Sequence, residues 1–200
     1  MHFDQLGLEF VSRLPARSAM RGTKIVQKSM DRLMYGAYET AIGKISVFGL
    51  DGVLAYLGFD ARRSLEKARG FFPEAALSDD PIFAREMVDQ VLAVWSGNYN
   101  GSPLQLVANG TPFQRGVWSA LLRIPAGQVV SYGLIADVIE SPRAVRAVGS
   151  AVGVNPISLL IPCHRVIQQN GSVKNYGWGD AKKIEILKAE GLSQTRARAA

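Results

Sequence analysis

The sequence predicts an α+β fold, with a small N-terminal domain of antiparallel sheet and helices and a mostly helical C-terminal domain. Two observations lead to this prediction. Residues 33–59 contain short β-rich runs separated by turn residues, a pattern typical of an antiparallel meander. Residues 111–153 instead carry apolar residues at helical spacing between capping residues and prolines. The predicted domains span residues 33–108 and 109–193, with a loosely attached extension over 1–32 and a tail over 194–200.

Residues 33–108 yield the elements of the smaller domain. Asp51-Gly52 is a strong two-residue hairpin signal. Two helices are predicted over residues 62–71 and 82–95, the second with Ile82, Met87, Val91 and Trp95 on one face. The predicted strands are Tyr35–Thr40, Ile45–Leu50, Val53–Phe59 and Leu104–Val107.

Residues 109–193 begin with three predicted helices. Thr111 is the expected cap of a helix that begins at Pro112 and ends before Pro125. Ser131 caps a second helix over 132–139, and a third follows over 143–152. The tight turn between the last two predicts a winged-helix-like helix-turn-helix, although small-residue helix pairs are also common in cores. We further expect a buried strand over 157–161 and a last helix over 181–190, capped by Asp180 and ended by Gly191.

The charge is unevenly distributed along the chain. The net charge is +6, and residues 1–108 hold 12 basic and 12 acidic side chains, whereas residues 109–200 hold 11 and 5. An excess of positive charge in one domain indicates a polyanionic partner, DNA or RNA. The alternative is a basic surface that is merely solvated.

Composition narrows the class of protein. The chain of 200 residues is 48% hydrophobic and 20% charged, as in ordinary globular proteins. No apolar run approaches the roughly 20 residues of a membrane span, and no secretory signal is visible. The single cysteine excludes an internal disulfide and a cysteine-rich zinc site. We therefore expect a cytoplasmic, reducing setting and no membrane partner.

The run Ile161–Ile167 holds that cysteine, Cys163, directly before His164, one of two histidines. A thiol beside an imidazole at the end of a strand predicts an activated nucleophile. Only the thiolate attacks well, and a neighbouring base or positive charge lowers the thiol pKa from about 8.5. The alternative is a buried structural cysteine, the commoner fate of a lone one.

Ordered motifs extend over most of residues 111–191. They are Phe-x-x-x-Val-Trp at 113–118, Ile-Pro-x-Gly-x-x-x-Ser-Tyr at 124–132, Arg-Ala-Val-Gly at 146–149, Asn-Pro at 155–156, Ile-Pro-Cys-His-Arg-Val at 161–166, then Asn175-Tyr176, Gly179, Lys183 and Glu190-Gly191. With these motifs, the C-terminal part resembles the O6-alkylguanine-DNA alkyltransferases, DNA repair proteins that each act once. Residues 33–107 resemble the N-terminal domain of that family more weakly. The fold of the family agrees with the fold predicted above.

The resemblance implies a site and a reaction. Cys163 would take the alkyl group from O6 of guanine, and also from O4 of thymine, and keep it as a thioether. His164 would draw the thiol proton through a water, and Glu190 would orient the imidazole. Tyr132 and Lys183 would face the departing guanine. Asn155 would position the thiol.

The resemblance also implies how double-stranded DNA is bound. The alkylated base would be flipped out, Arg146 would fill the vacated space, and the second helix of the motif would lie in the minor groove. Gln114 and Ser141, at helix starts, would contact phosphates. The alkyl group would lie among Trp178, Ser158 and Tyr176. Some relatives have glycine at the position of Trp178 and proline at that of Ser158.

No cofactor and no metal are expected. Zinc-binding members of the family use Cys and His ligands in their N-terminal half, where this chain offers only His2. We expect a monomer. Two other functions stay open: a DNA-binding regulator or lesion-flagging protein without transfer activity, and a Cys-His hydrolase. Lesion-flagging relatives replace the cysteine, which is present here, and adjacent Cys and His side chains rarely bind each other directly.

Overall fold

The structure is a computed structural model that describes residues 9–15, 23–26 and 28–198. Within these residues the chain forms two compact units. The first, called the sheet unit, comprises Met20–Thr111 and Pro156–Leu160, as far as they are described. The second, called the helical unit, comprises Met1–Ala19, Pro112–Asn155 and Ile161–Ala200, with the same restriction. The domain boundaries given by the sequence stay a prediction.

The elements are numbered in chain order. The strands are β1 Glu9–Phe10, β2 Thr23–Val26, β3 Arg32–Thr40, β4 Gly43–Leu50, β5 Val53–Gly58, β6 Ala76–Asp79, β7 Leu104–Val107, β8 Gln128–Ser131 and β9 Val166–Ile167. The helices are α1 Ala61–Phe71, α2 Pro81–Trp95, α3 Pro112–Leu121, α4 Tyr132–Val138, α5 Val145–Gly153 and α6 Asp180–Arg198. The structure is therefore a mixed α/β fold; it contains both helices and strands, as the predicted α+β class requires. No helix in the described part of the chain combines the length and apolarity needed to cross a membrane.

The sheet unit contains a six-stranded sheet in the order β2-β7-β5-β4-β3-β6. Its centre is the predicted antiparallel meander of β3, β4 and β5. The outer pairs β2–β7, β5–β7 and β3–β6 are parallel, so the sheet is mixed, and the antiparallel arrangement predicted for this domain holds only within the meander. Asp60 and Asp80 cap α1 and α2 by accepting hydrogen bonds from the backbone of Arg63 (2.7 Å) and Phe83 (2.9 Å).

Three details of this unit differ from the sequence-based expectation. Strands β2 and β6 were not predicted, and β2 lies in the segment expected to be a loose extension. Ile82 was placed on the buried face of α2, but it is 73% exposed, whereas Met87 and Val91 are buried. Five residues at 100° each turn Ile82 about 140° away from Met87, which explains the error.

The helical unit packs helices around a small parallel sheet in the order β1-β8-β9. A buried cluster of Val129, Ile167, Val173 and Leu187 joins this sheet to α6. Ser131 caps α4, as predicted, by accepting a hydrogen bond of 3.1 Å from the backbone of Leu134. Helices α4 and α5 follow each other across residues 139–144, and their identity as a helix-turn-helix stays a prediction.

The N-terminal residues of this unit are less loose than expected. Strand β1 pairs with β8, and Val11 N–H donates to the carbonyl of Val129 (3.0 Å). The guanidinium of Arg123 donates to the carbonyls of Leu14 and Pro15. These contacts correct the expectation of a loosely attached extension for residues 9–15.

Two predicted helix boundaries and one predicted strand in the C-terminal part are wrong. Helix α5 begins at Val145, after a turn in which Ala144 N–H donates to Ser141 O (2.9 Å). Residues 157–161 are buried but form no named strand, because Leu159 has a φ of 71° and the backbone turns there. Helix α6 passes through Gly191 and continues to residue 198, since Gly191 does not adopt the left-handed conformation that ends helices.

Gly36 on β3 provides a test of the packing of α2 against the sheet. A Cβ on Gly36 would lie 2.6 Å from Cβ of Ala84 and 3.1 Å from the backbone oxygen of Asp80. We therefore expect Gly36→Ala to lower the free energy of unfolding by about 1–3 kcal/mol. Gly70→Ala is the control, because a Cβ at that α1 position meets nothing within 4 Å. Urea denaturation of both variants checks this, and equal stabilities would contradict it.

Candidate active site

Cys163 lies in the 3-10 turn Cys163–Arg165, which Pro162 precedes and β9 follows. The backbone N–H of Cys163 donates to Ile161 O (2.7 Å), and that of Arg165 donates to Pro162 O (3.0 Å). All three side chains of this turn are buried, although each of them carries an ionisable group. A buried run of polar side chains requires partners for each of them.

The thiol of Cys163 is 6% exposed and has polar neighbours. The amide of Asn155 donates to its Sγ (3.0 Å) and to Ile161 O (2.7 Å), and the hydroxyl oxygen of Tyr176 lies 4.0 Å from Sγ. Burial raises the pKa of the Cys163 thiol, and the opposing hydrogen bonds and the charge of Lys183 do not reverse this. This direction is opposite to the lowered thiol pKa expected from the sequence, so the resting group is the protonated thiol.

His164 is fully buried, and its Nε2 lies 2.9 Å from Oε1 of Glu190. Burial alone would raise the pKa of the Glu190 carboxyl, but Arg165 and His164 together hold that pKa well below its ordinary value. An ionised carboxylate only accepts hydrogen bonds, so Nε2 of His164 carries the proton. Nδ1 is then unprotonated, and it has no hydrogen-bond partner among the residues that the structure describes.

The protonation state of His164 follows from its surroundings. Burial lowers the pKa of His164; Glu190 opposes this effect, whereas Arg165 and Lys183 add to it. The resting imidazole is therefore neutral, with the lone pair of Nδ1 unused. A neutral imidazole beside a thiol can act as a general base.

Arg165 is the site residue that the sequence-based interpretation missed. Its Nε donates to Oε2 of Glu190 (3.0 Å), its Nη2 to Oε1 (2.7 Å), and its Nη1 to the carbonyl of Ile124 (2.5 Å). The sequence did contain a signal. An arginine inside the apolar run 161–167 is expected to be buried, and a buried arginine requires an acidic partner.

Lys183 and Tyr132 interact electrostatically with Cys163. Lys183 is buried and donates from Nζ to the carbonyl of Val166 (2.7 Å). Burial lowers the pKa of Lys183 to about 8, although Cys163 and Asp180 oppose this. Burial and the charge of Cys163 raise the pKa of Tyr132, which therefore keeps its proton. A cationic group and a hydroxyl donor are thus near the thiol.

The other predicted site residues lie elsewhere in the two units. Arg146 is exposed on α5, Gln114 is half-buried in the first turn of α3, and Ser141 is half-buried after α4. Trp178 is half-buried in the loop before α6. Ser158 belongs to the sheet unit, where its N–H donates to Leu57 O (3.1 Å). Among the residues described, no three His, Cys, Asp or Glu side chains are grouped to hold a metal.

Comparison with known proteins shows the family to which this chain belongs. The family described as 6-O-methylguanine DNA methyltransferase, DNA binding domain, matches residues 112–192. The chain is 37% identical over 160 residues to the methylated-DNA–protein-cysteine methyltransferase of Methanosarcina acetivorans, which covers 80% of this chain and 99% of the relative. It is also 37% identical over 142 residues to the Escherichia coli bifunctional transcriptional activator/DNA repair enzyme Ada. That match covers 70% of this chain but 40% of Ada.

A solved structure shows the same fold. The crystal structure of Mycobacterium tuberculosis OGT in complex with DNA superimposes with a TM-score of 0.66 and 36% sequence identity. It covers 80% of this chain and 94% of that chain. The similarity therefore extends beyond residues 112–192.

The buried amine of Lys183 has a measurable consequence for stability. Between pH 8 and pH 10.5 the unfolded chain binds a proton at Lys183 that the folded protein does not, so the stability linked to this residue rises with pH. In a Cys163→Ser background, which removes the coupled thiol, we expect stability relative to Lys183→Met to rise by about 2 kcal/mol from pH 8 to pH 10. Urea denaturation at both pH values measures this. A difference independent of pH would contradict the buried position of the amine.

Proposed function

Because the chain belongs to the methylated-DNA–protein-cysteine methyltransferases, which repair DNA by alkyl transfer to a cysteine, we propose that Cys163 accepts the alkyl group of O6-alkylguanine. The observation that carries this proposal is the buried thiol of the only cysteine, directly followed in the chain by a buried imidazole whose Nδ1 has no hydrogen-bond partner among the described residues. O4-alkylthymine is proposed as a second substrate, since its alkyl group is also bound to an exocyclic oxygen.

The proposed displacement begins at the thiol. Sγ of Cys163 attacks the alkyl carbon, the carbon–oxygen bond to the base breaks, and a thioether forms. The thiol proton passes through a bridging water to Nδ1 of His164, and the imidazolium is stabilised by the ionised Glu190. Asn155 holds Sγ in position through its amide hydrogen bond of 3.0 Å.

The departing base leaves as an anion. Tyr132, whose raised pKa keeps its hydroxyl protonated, donates a proton to it, and the Lys183 ammonium stabilises the negative charge that remains. The imidazolium of His164 then releases its proton to solvent, and the Tyr132 tyrosinate takes up a proton from solvent. A thioether is a poor leaving group, so each molecule acts once.

Binding is proposed to require base flipping. With 6% exposure, Cys163 is out of reach of a base stacked inside a duplex, and the lesion has to leave the helix. Helices α4 and α5 would form the helix-turn-helix, with α5 in the minor groove and the exposed Arg146 filling the vacated space. Gln114 and Ser141 would contact phosphates. The positive charge concentrated in residues 109–200 supports such binding.

The alkyl group is proposed to lie beside Tyr176, whose hydroxyl is 4.0 Å from Sγ, and beside Trp178, while a contribution of Ser158 stays a prediction. No metal or cofactor enters the proposed reaction. The protein is proposed to act as a monomer, because one copy supplies every group used above. A cytoplasmic location is proposed because the reactive group is a free thiol, which persists in reducing surroundings.

Intact mass measurement tests the proposed reaction. After incubation with a duplex containing O6-methylguanine, the protein should gain one methyl group on Cys163 and then stop. Cys163→Ser should abolish transfer and leave duplex binding nearly unchanged, because Cys163 is buried. Conversion of more labelled DNA than protein present would contradict single turnover. Tight binding without any mass change would favour the lesion-flagging alternative.

Arg146 and Arg143 form a matched pair for testing base flipping, because both are exposed and each carries one positive charge. Arg146→Ala should slow repair of duplex DNA by roughly ten- to a hundredfold, since the extrahelical state costs a few kcal/mol that an inserted side chain offsets. Reaction with free O6-methylguanine base should change little. Arg143→Ala should weaken DNA binding in a salt-dependent way without this selectivity. Equal losses of Arg146→Ala on both substrates would exclude the flipping role.

A further inference from the structure

Arg165 is the cation that is bound to the buried carboxylate of Glu190 beside His164. Glu190 is 4% exposed and ionised, Arg165 is 1% exposed, and His164 is neutral. Arginine remains protonated in proteins. The three side chains therefore form a cluster without net charge. Without Arg165, a single buried carboxylate would face the imidazole, and an unpaired buried charge is strongly unfavourable.

The geometry gives Arg165 a second role. Its Nε and Nη2 bind the two carboxylate oxygens of Glu190, and its Nη1 binds the carbonyl of Ile124. The guanidinium is thus fixed at both ends, and it fixes the plane of the carboxylate in turn. His164 makes one hydrogen bond to Glu190, which by itself does not fix that plane.

We infer that Arg165 is a positioning residue for alkyl transfer, which holds Glu190 beside His164 and keeps this pair from taking up an extra proton. An extra proton would occupy Nδ1 of His164, and the imidazole could then no longer accept the proton of the Cys163 thiol. This inference rests on the proposed function of His164 as the base. According to this inference, Nδ1 of His164 stays unprotonated because Arg165 is present, although Arg165 touches no reacting atom.

Other charged or titratable groups face His164 from the same elements. Lys183 on α6 acts on His164 in the same direction as Arg165, and Cys163 precedes His164 in the turn. The ammonium of Lys183 donates to Val166 O, whereas Arg165 binds Glu190 through two nitrogens. Lys183 therefore does not replace Arg165 as the counter-charge of the carboxylate.

Imidazole NMR tests the inference without DNA, and the chain contains only two histidines to assign. In the full chain labelled with 15N-histidine, His164 should be neutral at pH 7. In Arg165→Gln, the midpoint of its titration should move upward by about 1–3 pH units, the effect of removing a charge at close range. Arg165→Lys keeps the charge and should leave the midpoint near that of the unmodified protein. An unchanged midpoint in Arg165→Gln would overturn the inference.

The single-turnover rate with O6-methylguanine duplex gives the matching kinetic readout. Arg165→Gln should lose about tenfold in rate at pH 7 for each pH unit by which the midpoint exceeds 7, and should recover at higher pH. Arg165→Lys should lose rate equally at all pH values, because it disturbs position and not charge. A merely structural residue would lower the rate in Arg165→Gln without moving the pH profile, and that result would also overturn the inference.

The double variant Arg165→Gln/Glu190→Gln removes both charges and serves as the control. Its cluster is again neutral, so the upward shift of the His164 midpoint should disappear although the rate stays low. Persistence of the shift would contradict the inference. If Arg165→Gln does not fold, Arg165→Lys and the double variant still test the inference, because it requires His164 in both to titrate as in the unmodified protein. An upward shift of the midpoint in either variant would contradict it. Failure of the proposed function would appear as absent methyl transfer, whereas the NMR shift is independent of transfer.

Discussion

The site depends on one buried interaction, the carboxylate of Glu190 shared between Arg165 and His164. It joins α6 to the 3-10 turn that carries Cys163, and through the guanidinium it also reaches Ile124, just before β8. A carboxylate in such surroundings stays ionised only with a cation bound to it. The same ion pair therefore sets the position of α6 against the turn and the protonation state of the imidazole.

Burial has opposite effects on the pKa values of the two groups that are proposed to exchange the proton. It raises the pKa of Cys163 and lowers that of His164, so both effects disfavour the thiolate–imidazolium pair at rest. Asn155 and Lys183 reduce this penalty for the thiolate without removing it. The attacking form is thus expected to arise together with the displacement, when the alkyl carbon is in place. For a protein with one acceptor thiol, a thiol that is unreactive at rest limits loss to other electrophiles and to oxidation.

The sequence predicted the elements whose signals are local. The cap at Ser131, the hairpin at Asp51-Gly52 and the spacing of α3 all depend on neighbouring residues. Strands β2 and β6 were missed because their pairing is parallel and distant in sequence, and residues 157–161 were misassigned because an apolar run indicates burial but not its backbone conformation. Cys163, His164 and Glu190 were found through motifs. Arg165 was missed because its partner is 25 residues away.

Asn155 shows why motif residues outside the proposed proton relay matter to the geometry. The chain leaves the helical unit after this residue, and Pro156 and Ser158 form backbone hydrogen bonds with Leu57 of β5 in the sheet unit before the chain returns at Ile161. The amide of Asn155 binds both Ile161 O and the sulfur of Cys163. It therefore links the last residue before this excursion to the first residue after it. Leu159, in a left-handed conformation unusual for its type, allows the tight turn in between. An aspartate at position 155 would lack the N–H donors for both acceptors, which explains why an amide is required there.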